Sequence, residues 1–195
     1  AMKGQVCMRS GAHPYNLSLG AAVIAHEGEP AAEAWAKGLV ANFARGPKGG
    51  DTDQIKSVAA GECGVTISNT YYLARMMRST KAEDQQAMNA VGIVWPNQAS
   101  WGTHVNVSGM ALARYASTRD NAVKLMDYLA SAEAQKIYAE QVFEYPVSPK
   151  AKPSDIVVGF GTIKPDSLAL TDVAANRKVA SELVDKVGLN EGPSN

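Results

Sequence analysis

Two short strand-like runs alternate with longer stretches of helical periodicity over the first 77 residues of the chain. The strand-like runs are residues 6–9 and 64–69. Helices are expected at 16–26, from Pro30 to just before Gly46, at 51–61 and at 71–77. Strands that are joined through helices usually run parallel, so this order predicts an α/β fold with a largely parallel sheet covered by helices.

Glycine, proline and capping residues set the expected helix ends. Gly28 closes the first helix, and Pro30 suits the first turn of the second. Asp51 and Gln54 have the spacing of a capping box at the start of the third helix.

The middle of the chain follows a different pattern. Residues 91–95 and 105–107 are predicted strands, while Thr118 and Ser131 are expected to cap two consecutive helices. A proline-rich stretch, 145–153, precedes a last amphipathic helix at 171–186. Two sub-regions joined by crossing segments favour a hinged, two-lobed binding protein over a compact enzyme core.

Charge and hydropathy argue against nucleic-acid binding and against a membrane-spanning segment. The 195 residues carry 19 basic and 19 acidic side chains, so the charge balance predicts no nucleic-acid binding. No stretch approaches the roughly 20 apolar residues of a membrane span. The start, Ala1-Met2-Lys3-Gly4, has no apolar signal-peptide region, although a mature or excised piece would have lost one.

Cys7 and Cys63 are the two cysteines, and each lies in or beside a strand-like run. Neighbouring strands would bring their side chains within disulfide range, which would indicate an oxidising compartment. Two reduced, buried cysteines that act as small apolar side chains are an equally good interpretation of the sequence alone.

Tyr71 and Tyr72 form the most informative pair of side chains. Neighbours within a strand point to opposite faces, so adjacent tyrosines share a target only where a strand turns into a helix. Tyr15 lies in a corresponding strand-to-helix turn, and such turns gather at the carboxyl edge of a parallel sheet. The sequence therefore predicts that three phenols converge on one cleft.

Three phenols suit a hard trivalent cation. A phenol has an ordinary pKa of about 10, and a bound 3+ ion would deprotonate it and be neutralised by three phenolates. The alternative is that Tyr71 and Tyr72 pack at a helix start with their hydroxyls in water.

The three histidines are weaker candidates than the tyrosines for metal binding or catalysis. His13 is expected to shape its turn, and His104 to be a structural histidine. His26-Glu27 lacks a second histidine at metalloprotease spacing, and no Ser/His/Asp or Cys/His arrangement is present. The chain is therefore not expected to be an enzyme.

Several motifs resemble the ferric ion-binding proteins of bacterial iron(III) ABC importers. They run through essentially the whole chain: residues 3–19 (KGQVCMRSGAHPYNLSL), 50–55 (GDTDQI), 60–63 (AGEC), 69–72 (NTYY), 102–109 (GTHVNVSG) and 171–177 (TDVAANR). The resemblance implies a type II periplasmic-binding-protein-like α/β fold. One lobe, residues 1–90 and 153–195, would be complete, and residues 91–152 would belong to a partial first lobe that lacks its N-terminal part.

The resemblance also implies site residues. Tyr71 and Tyr72 match the paired iron-ligating tyrosines, and Tyr15 matches the third tyrosine of a subgroup that depends less on bound phosphate. Ser10, Asn16 and Asn69 are the candidates to contact an anion, such as carbonate, or to orient the ligands. Cys7 and Cys63 match a pair of cysteines found in some relatives, which favours the disulfide.

The function implied is capture of Fe³⁺ in the periplasm and its delivery to an inner-membrane ABC permease. One alternative is a related importer protein for a small organic anion or a phosphonate. Another is a non-binding structural fragment, whose uncovered partial lobe would drive dimerisation.

Overall fold

The computed structural model describes residues 2–193 and is rich in helices. The elements in chain order are β1 (Val6–Cys7), α1 (Pro14–Glu27), α2 (Glu29–Asn42), α3 (Asp51–Ala59), β2 (Val65–Thr66), α4 (Thr70–Arg78), α5 (Ala82–Met88), α6 (Arg119–Ala130), α7 (Ala132–Gln141), α8 (Asp155–Val158) and α9 (Leu170–Lys186).

The described residues group into two compact units. Unit 1 contains the chain up to Asn69, then Thr80–Asn106, and the chain from Ile163 onward. Unit 2 contains Thr70–Ser79 and Val107–Thr162. The assignment of the sequence to the lobes of a longer protein stays a prediction.

The sheet of unit 1 is parallel, as the order of elements predicts. β1 pairs with β2, with Val6 opposite Val65 and Cys7 opposite Thr66, and Val6 also bridges to Phe43. Both strands are only two residues long, which is shorter than predicted. The sheet therefore supplies few backbone hydrogen bonds, and other contacts must hold its register.

The predicted strands at 91–95 and 105–107 are wrong, because neither run forms a strand in the described chain. A strand exists only through its hydrogen-bonded neighbours, and Val94 is 87% exposed. The backbone pairing found in this region is a single parallel bridge between Thr103 and Pro165.

The core of unit 1 forms where α1, α2 and α9 pack on the sheet. Its buried side chains are Val6, Met8, Leu17, Phe43, Val184 and Leu189. Gly11 lies in the turn between β1 and α1, and a Cβ at this position would clash with the side chain of Leu189. Glycine at position 11 therefore lets the turn approach the loop after α9.

The helix ends confirm most of the expected signals. Gly28 follows α1 with φ of 80°, Pro30 lies in the first turn of α2, and the Ser131 hydroxyl accepts the Ala134 N–H at the start of α7. The capping box of Asp51 and Gln54 is wrong. The Asp53 carboxylate accepts the Gly50 N–H instead, and Gln54 is buried and donates to the carbonyls of Lys48 and Gly50.

A histidine cluster ties the end of α1 to two later segments of unit 1. His26 Nε2 lies 2.9 Å from the Asp166 carboxylate, and the ring of Trp101 stacks on His26 with 4.4 Å between centroids. His104 Nε2 lies 3.1 Å from the Ser18 hydroxyl. These contacts hold residues 101–104 and 166 against α1.

Unit 2 has a smaller core, in which Ala74, Phe143 and Val157 are buried. α6 contributes no buried residue, and apolar side chains such as Leu125 and Ile137 are exposed. In the described part of the chain, no helix combines the length and the apolar character that crossing a bilayer would require.

The predicted disulfide between Cys7 and Cys63 is confirmed. Cys7 is the last residue of β1 and Cys63 precedes β2 by two residues, and their Cα atoms are 5.9 Å apart. Both cysteines are buried. The bond therefore holds β1 and β2 in register, which strands of two residues could not do through backbone hydrogen bonds alone.

Removal of this disulfide should destabilise the chain. The bond spans 56 residues, and closing a loop of that size stabilises a fold by roughly 2–4 kcal/mol. We expect Cys7→Ala, Cys63→Ala to lower the free energy of unfolding by about that amount in urea titrations. A reducing agent should lower the wild-type value similarly and leave that of the double variant unchanged. Equal stability of wild type and variant would contradict this.

Acid should destabilise the chain through two histidines. Burial lowers the pKa of His104, with Asp166 and Asn106 opposing the shift, and burial together with Arg9 lowers the pKa of His13. Below the ordinary histidine pKa of about 6.5, the unfolded chain therefore binds more protons than the folded one. Stability is retained above that pH and falls as the pH drops towards the folded-state values.

We expect the free energy of unfolding to decline from pH 7.5 to 5.5, by at most about 1.4 kcal/mol per pH unit for each histidine. In the variant His13→Asn, His104→Gln, the slope should flatten, whatever the absolute stability. Urea titrations across this range measure the slope, and an unchanged slope in the variant would exclude this origin.

Candidate metal centre

Tyr71 and Tyr72 lie together in the first turn of α4 in unit 2. Their ring centroids are 4.3 Å apart, with 32° between the ring planes. α4 begins at Thr70, four residues after β2 ends. The two neighbouring phenols lie side by side because they begin a helix, as the sequence predicts.

Arg75 lies against both tyrosine rings. Its guanidinium carbon is 5.0 Å from the centroid of Tyr71 and 5.8 Å from that of Tyr72. Arg75 is four residues after Tyr71 and three after Tyr72, a spacing that places side chains on the same face of a helix. Tyr71 also packs against the buried cluster of Ala74, Phe143 and Val157. The pair is thus held by apolar contact on one side and by a cation on the other.

Tyr15 lies in the first turn of α1, in unit 1. Its ring meets the His13 ring edge-on, with 4.4 Å between centroids, and the Arg9 guanidinium carbon is 5.3 Å from its centroid. His13 caps α1, since its Nδ1 accepts the Tyr15 N–H at 3.3 Å. The lowered pKa of His13 favours the neutral ring that this role as an acceptor needs.

Asp51 is a buried carboxylate that the sequence did not single out as a site residue. Its side chain is 3% exposed and forms an ion pair with Arg9, which is 16% exposed. Its other oxygen, Oδ1, accepts the Asn69 N–H at 3.1 Å. Asp51 is the first residue of α3. It therefore connects α3 to Arg9, which follows β1, and to Asn69, which precedes α4. The motif GDTDQI contained this residue, but a carboxylate at a helix start is ordinarily a capping group.

Ser10 and Asn16 stabilise the turn that carries Tyr15. The Ser10 hydroxyl donates to Asn190 Oδ1 at 3.0 Å, and the Asn16 amide donates to the carbonyls of Arg9 and Ser10. Asn69 Oδ1 accepts a hydrogen bond from Asn106 at 3.0 Å, while its buried Nδ2 has no hydrogen-bond partner.

The structure thus places the predicted site residues in two groups. Tyr71 and Tyr72 belong to unit 2, while Tyr15, Ser10, Asn16 and Asn69 belong to unit 1. That all three tyrosines bind one ion stays a prediction. Between residues 2 and 193, no group of three or more His, Cys, Asp or Glu side chains could hold a metal ion.

Known proteins are similar to this chain in both sequence and fold. Iron uptake protein A1 of Synechocystis is 39% identical over 186 residues, which are 95% of this chain and 52% of that protein. The ferric binding protein of Campylobacter jejuni is 40% identical with a TM-score of 0.93, over 96% of this chain and 59% of its own. A Trichodesmium protein (IdiA, FutA), solved in complex with iron and citrate ligands, is 44% identical with a TM-score of 0.91, over 96% of this chain and 60% of its own.

These similarities confirm the predicted fold class, a type II periplasmic-binding-protein-like α/β fold. The chain spans about half the length of the curated relatives that it matches. Residues 2–158 match the family described as bacterial extracellular solute-binding protein. This chain therefore belongs to the family of bacterial extracellular solute-binding proteins.

Proposed function

We propose that this chain is the ferric ion-binding part of the solute-binding component of an ABC importer. The observation that carries the proposal is the pair Tyr71 and Tyr72, whose rings lie 4.3 Å apart at the start of α4. This pair occurs in a chain about 40% identical to proteins named for ferric binding and iron uptake. The cargo proposed is Fe³⁺, with Tyr71, Tyr72 and Tyr15 as its ligands.

Phenolate chemistry explains why tyrosines suit this cargo. A free phenol keeps its proton at neutral pH because its pKa is about 10. Fe³⁺ is a hard cation that prefers anionic oxygen and displaces those protons when it binds. Three phenolates balance a 3+ charge, whereas a divalent ion would leave a net negative site. The proposed ligand set therefore favours the trivalent ion.

The action proposed is binding and release, without catalysis. The protein would collect Fe³⁺ in the periplasm and deliver it to an inner-membrane ABC permease. Support comes from the family, whose members are extracellular solute-binding proteins, and from the Cys7–Cys63 disulfide, which indicates an oxidising compartment. A small anion such as carbonate would be a co-ligand, with Ser10, Asn16 and Asn69 as the residues nearest to it.

Ferric binding should produce a visible charge-transfer band that depends on Tyr71 and Tyr72. We expect titration of the iron-free chain with ferric nitrilotriacetate to give a saturable band at near-unit stoichiometry. Tyr71→Phe, Tyr72→Phe should abolish the band, because phenylalanine keeps the packing and removes both oxygens. Tyr115→Phe is the matched control, since Tyr115 is 88% exposed. A band that persists in the double variant would contradict the role of Tyr71 and Tyr72. No band in the wild type would contradict ferric binding and favour an organic-anion ligand.

Tyr15 should contribute separately to affinity. We expect Tyr15→Phe to retain a band but to bind Fe³⁺ about tenfold or more weakly, because one of three compensating charges is lost. Competition against a chelator of known affinity measures this change. Equal affinity of Tyr15→Phe and wild type would exclude Tyr15 as a ligand and leave the paired tyrosines as the site.

A further inference from the structure

A cavity of about 720 Å³ opens in unit 2 between the end of α4, α7 and the segment that leads into α8. Neither Tyr71 nor Tyr72 lines it, because Arg78 enters it from about 10 Å farther along α4 than Tyr71. The cavity is positive in balance, although the whole chain carries equal numbers of basic and acidic side chains. Its charged side chains are Arg78, Lys136, Lys150 and Lys152, against Glu140 and Asp155.

Arg78 is held in place without losing its charge. Its Nη1 donates to the Glu140 carbonyl at 2.7 Å, and its Nη2 donates to Gln141 Oε1 at 3.1 Å. Both acceptors are neutral, and within residues 2–193 no carboxylate pairs with this guanidinium. Two of its five N–H groups are thus used for orientation. The remaining groups and the uncompensated charge are available to an oxyanion.

Phe143 forms an apolar wall of the cavity and lies under Arg78. Its ring centroid is 5.2 Å from the guanidinium carbon, and the residue is only 3% exposed. Its φ is 65°, the left-handed backbone that glycine ordinarily adopts after a helix. A bulky side chain is strained there, and such strain is found mostly at ligand-binding and catalytic sites. The strained backbone places an aromatic surface beside a fixed cation.

The three lysines supply charge that the protein itself leaves largely uncompensated. Lys150 and Lys152 are exposed, and neither forms an ion pair in the part of the chain that the structure describes. Lys136 pairs with Glu140 at 3.8 Å, and both side chains are more than half exposed. An exposed ion pair of this kind contributes little stability, so it gives way readily to a ligand.

We propose that this cavity binds a small organic dicarboxylate, with one carboxylate on Arg78, the other on Lys150 and Lys152, and the carbon chain against Phe143. Two carboxylates balance four cations against two acidic side chains. Pockets for small molecules typically measure about 300–1,000 Å³ and combine apolar walls with a few charged groups. The cavity is thus larger than a single inorganic oxyanion requires. The inference goes beyond ferric binding and does not depend on it.

Calorimetric titration of the iron-free chain with glutarate tests this site, in about 20 mM salt to limit screening. We expect saturable binding at near-unit stoichiometry, and no saturable binding of butyrate, which has a single carboxylate. Arg78→Gln should weaken glutarate binding about tenfold or more, because charge-assisted hydrogen bonds are lost.

Lys150→Gln, Lys152→Gln should weaken glutarate binding by a similar factor. Both side chains are exposed, so this double variant keeps the test decisive even if Arg78→Gln does not fold. Lys124→Gln is the matched control, since Lys124 is an exposed lysine of α6 that does not line the cavity. It should bind glutarate as the wild type does.

Four results would overturn the inference. They are no saturable binding of glutarate by the wild type, equal affinity for glutarate and for butyrate or inorganic phosphate, full affinity in the double lysine variant, and an equal loss of affinity in Lys124→Gln. The last of these would indicate a general effect of charge. Because no iron is present in any of these titrations, their failure would leave the ferric proposal to its own charge-transfer measurement.

Discussion

The ion pair between Arg9 and Asp51 is the contact on which the rest of unit 1 depends. Removing two charges from water costs several kcal/mol, and the cost is recovered only when the pair is close and its remaining oxygens are hydrogen-bonded. Asp51 meets this requirement, because one oxygen pairs with Arg9 and the other accepts the Asn69 N–H. The pairing of β1 with β2 could not connect these segments as firmly, since the two strands share only two residue pairs. The ion pair and the Cys7–Cys63 disulfide together connect the segment that precedes α1, the start of α3 and the residues before β2 and α4.

Features that depend on a few neighbouring residues could be predicted from the sequence. Gly28 and Pro30 fix the junction of α1 and α2 through their own backbone geometry, and Ser131 caps α7 with its own hydroxyl. The side-by-side placement of Tyr71 and Tyr72 is of the same kind, because it needs only that a helix start where they stand. The disulfide required more, since the spacing of two cysteines allows both a bond and a reduced pair, and the resemblance to a family favoured the bond.

Features that depend on distant partners could not be predicted in this way. The runs at 91–95 and 105–107 have the composition of strands, but a strand forms only when a neighbour supplies hydrogen bonds, and here none does within the described residues. Asp51 has the sequence position of a capping residue. Its actual role follows from Arg9, 42 positions away, and from Asn69, 18 positions away. Local spacing contains no information about either contact.

The charges of the buried carboxylates bear on the proposal that phenols bind a hard cation. Asp51, Asp84 and Asp166 are the buried carboxylates of the described chain, and each has a partner in Arg9, Lys56 or His26. A carboxylate that is already paired would have to give up that partner to bind a metal, and for Arg9 or Lys56 this would leave a positive charge uncompensated. A phenol carries no charge at neutral pH, and it becomes anionic only when the cation that it binds is present. The proposed tyrosine site would therefore stay electrically balanced both with and without its ion.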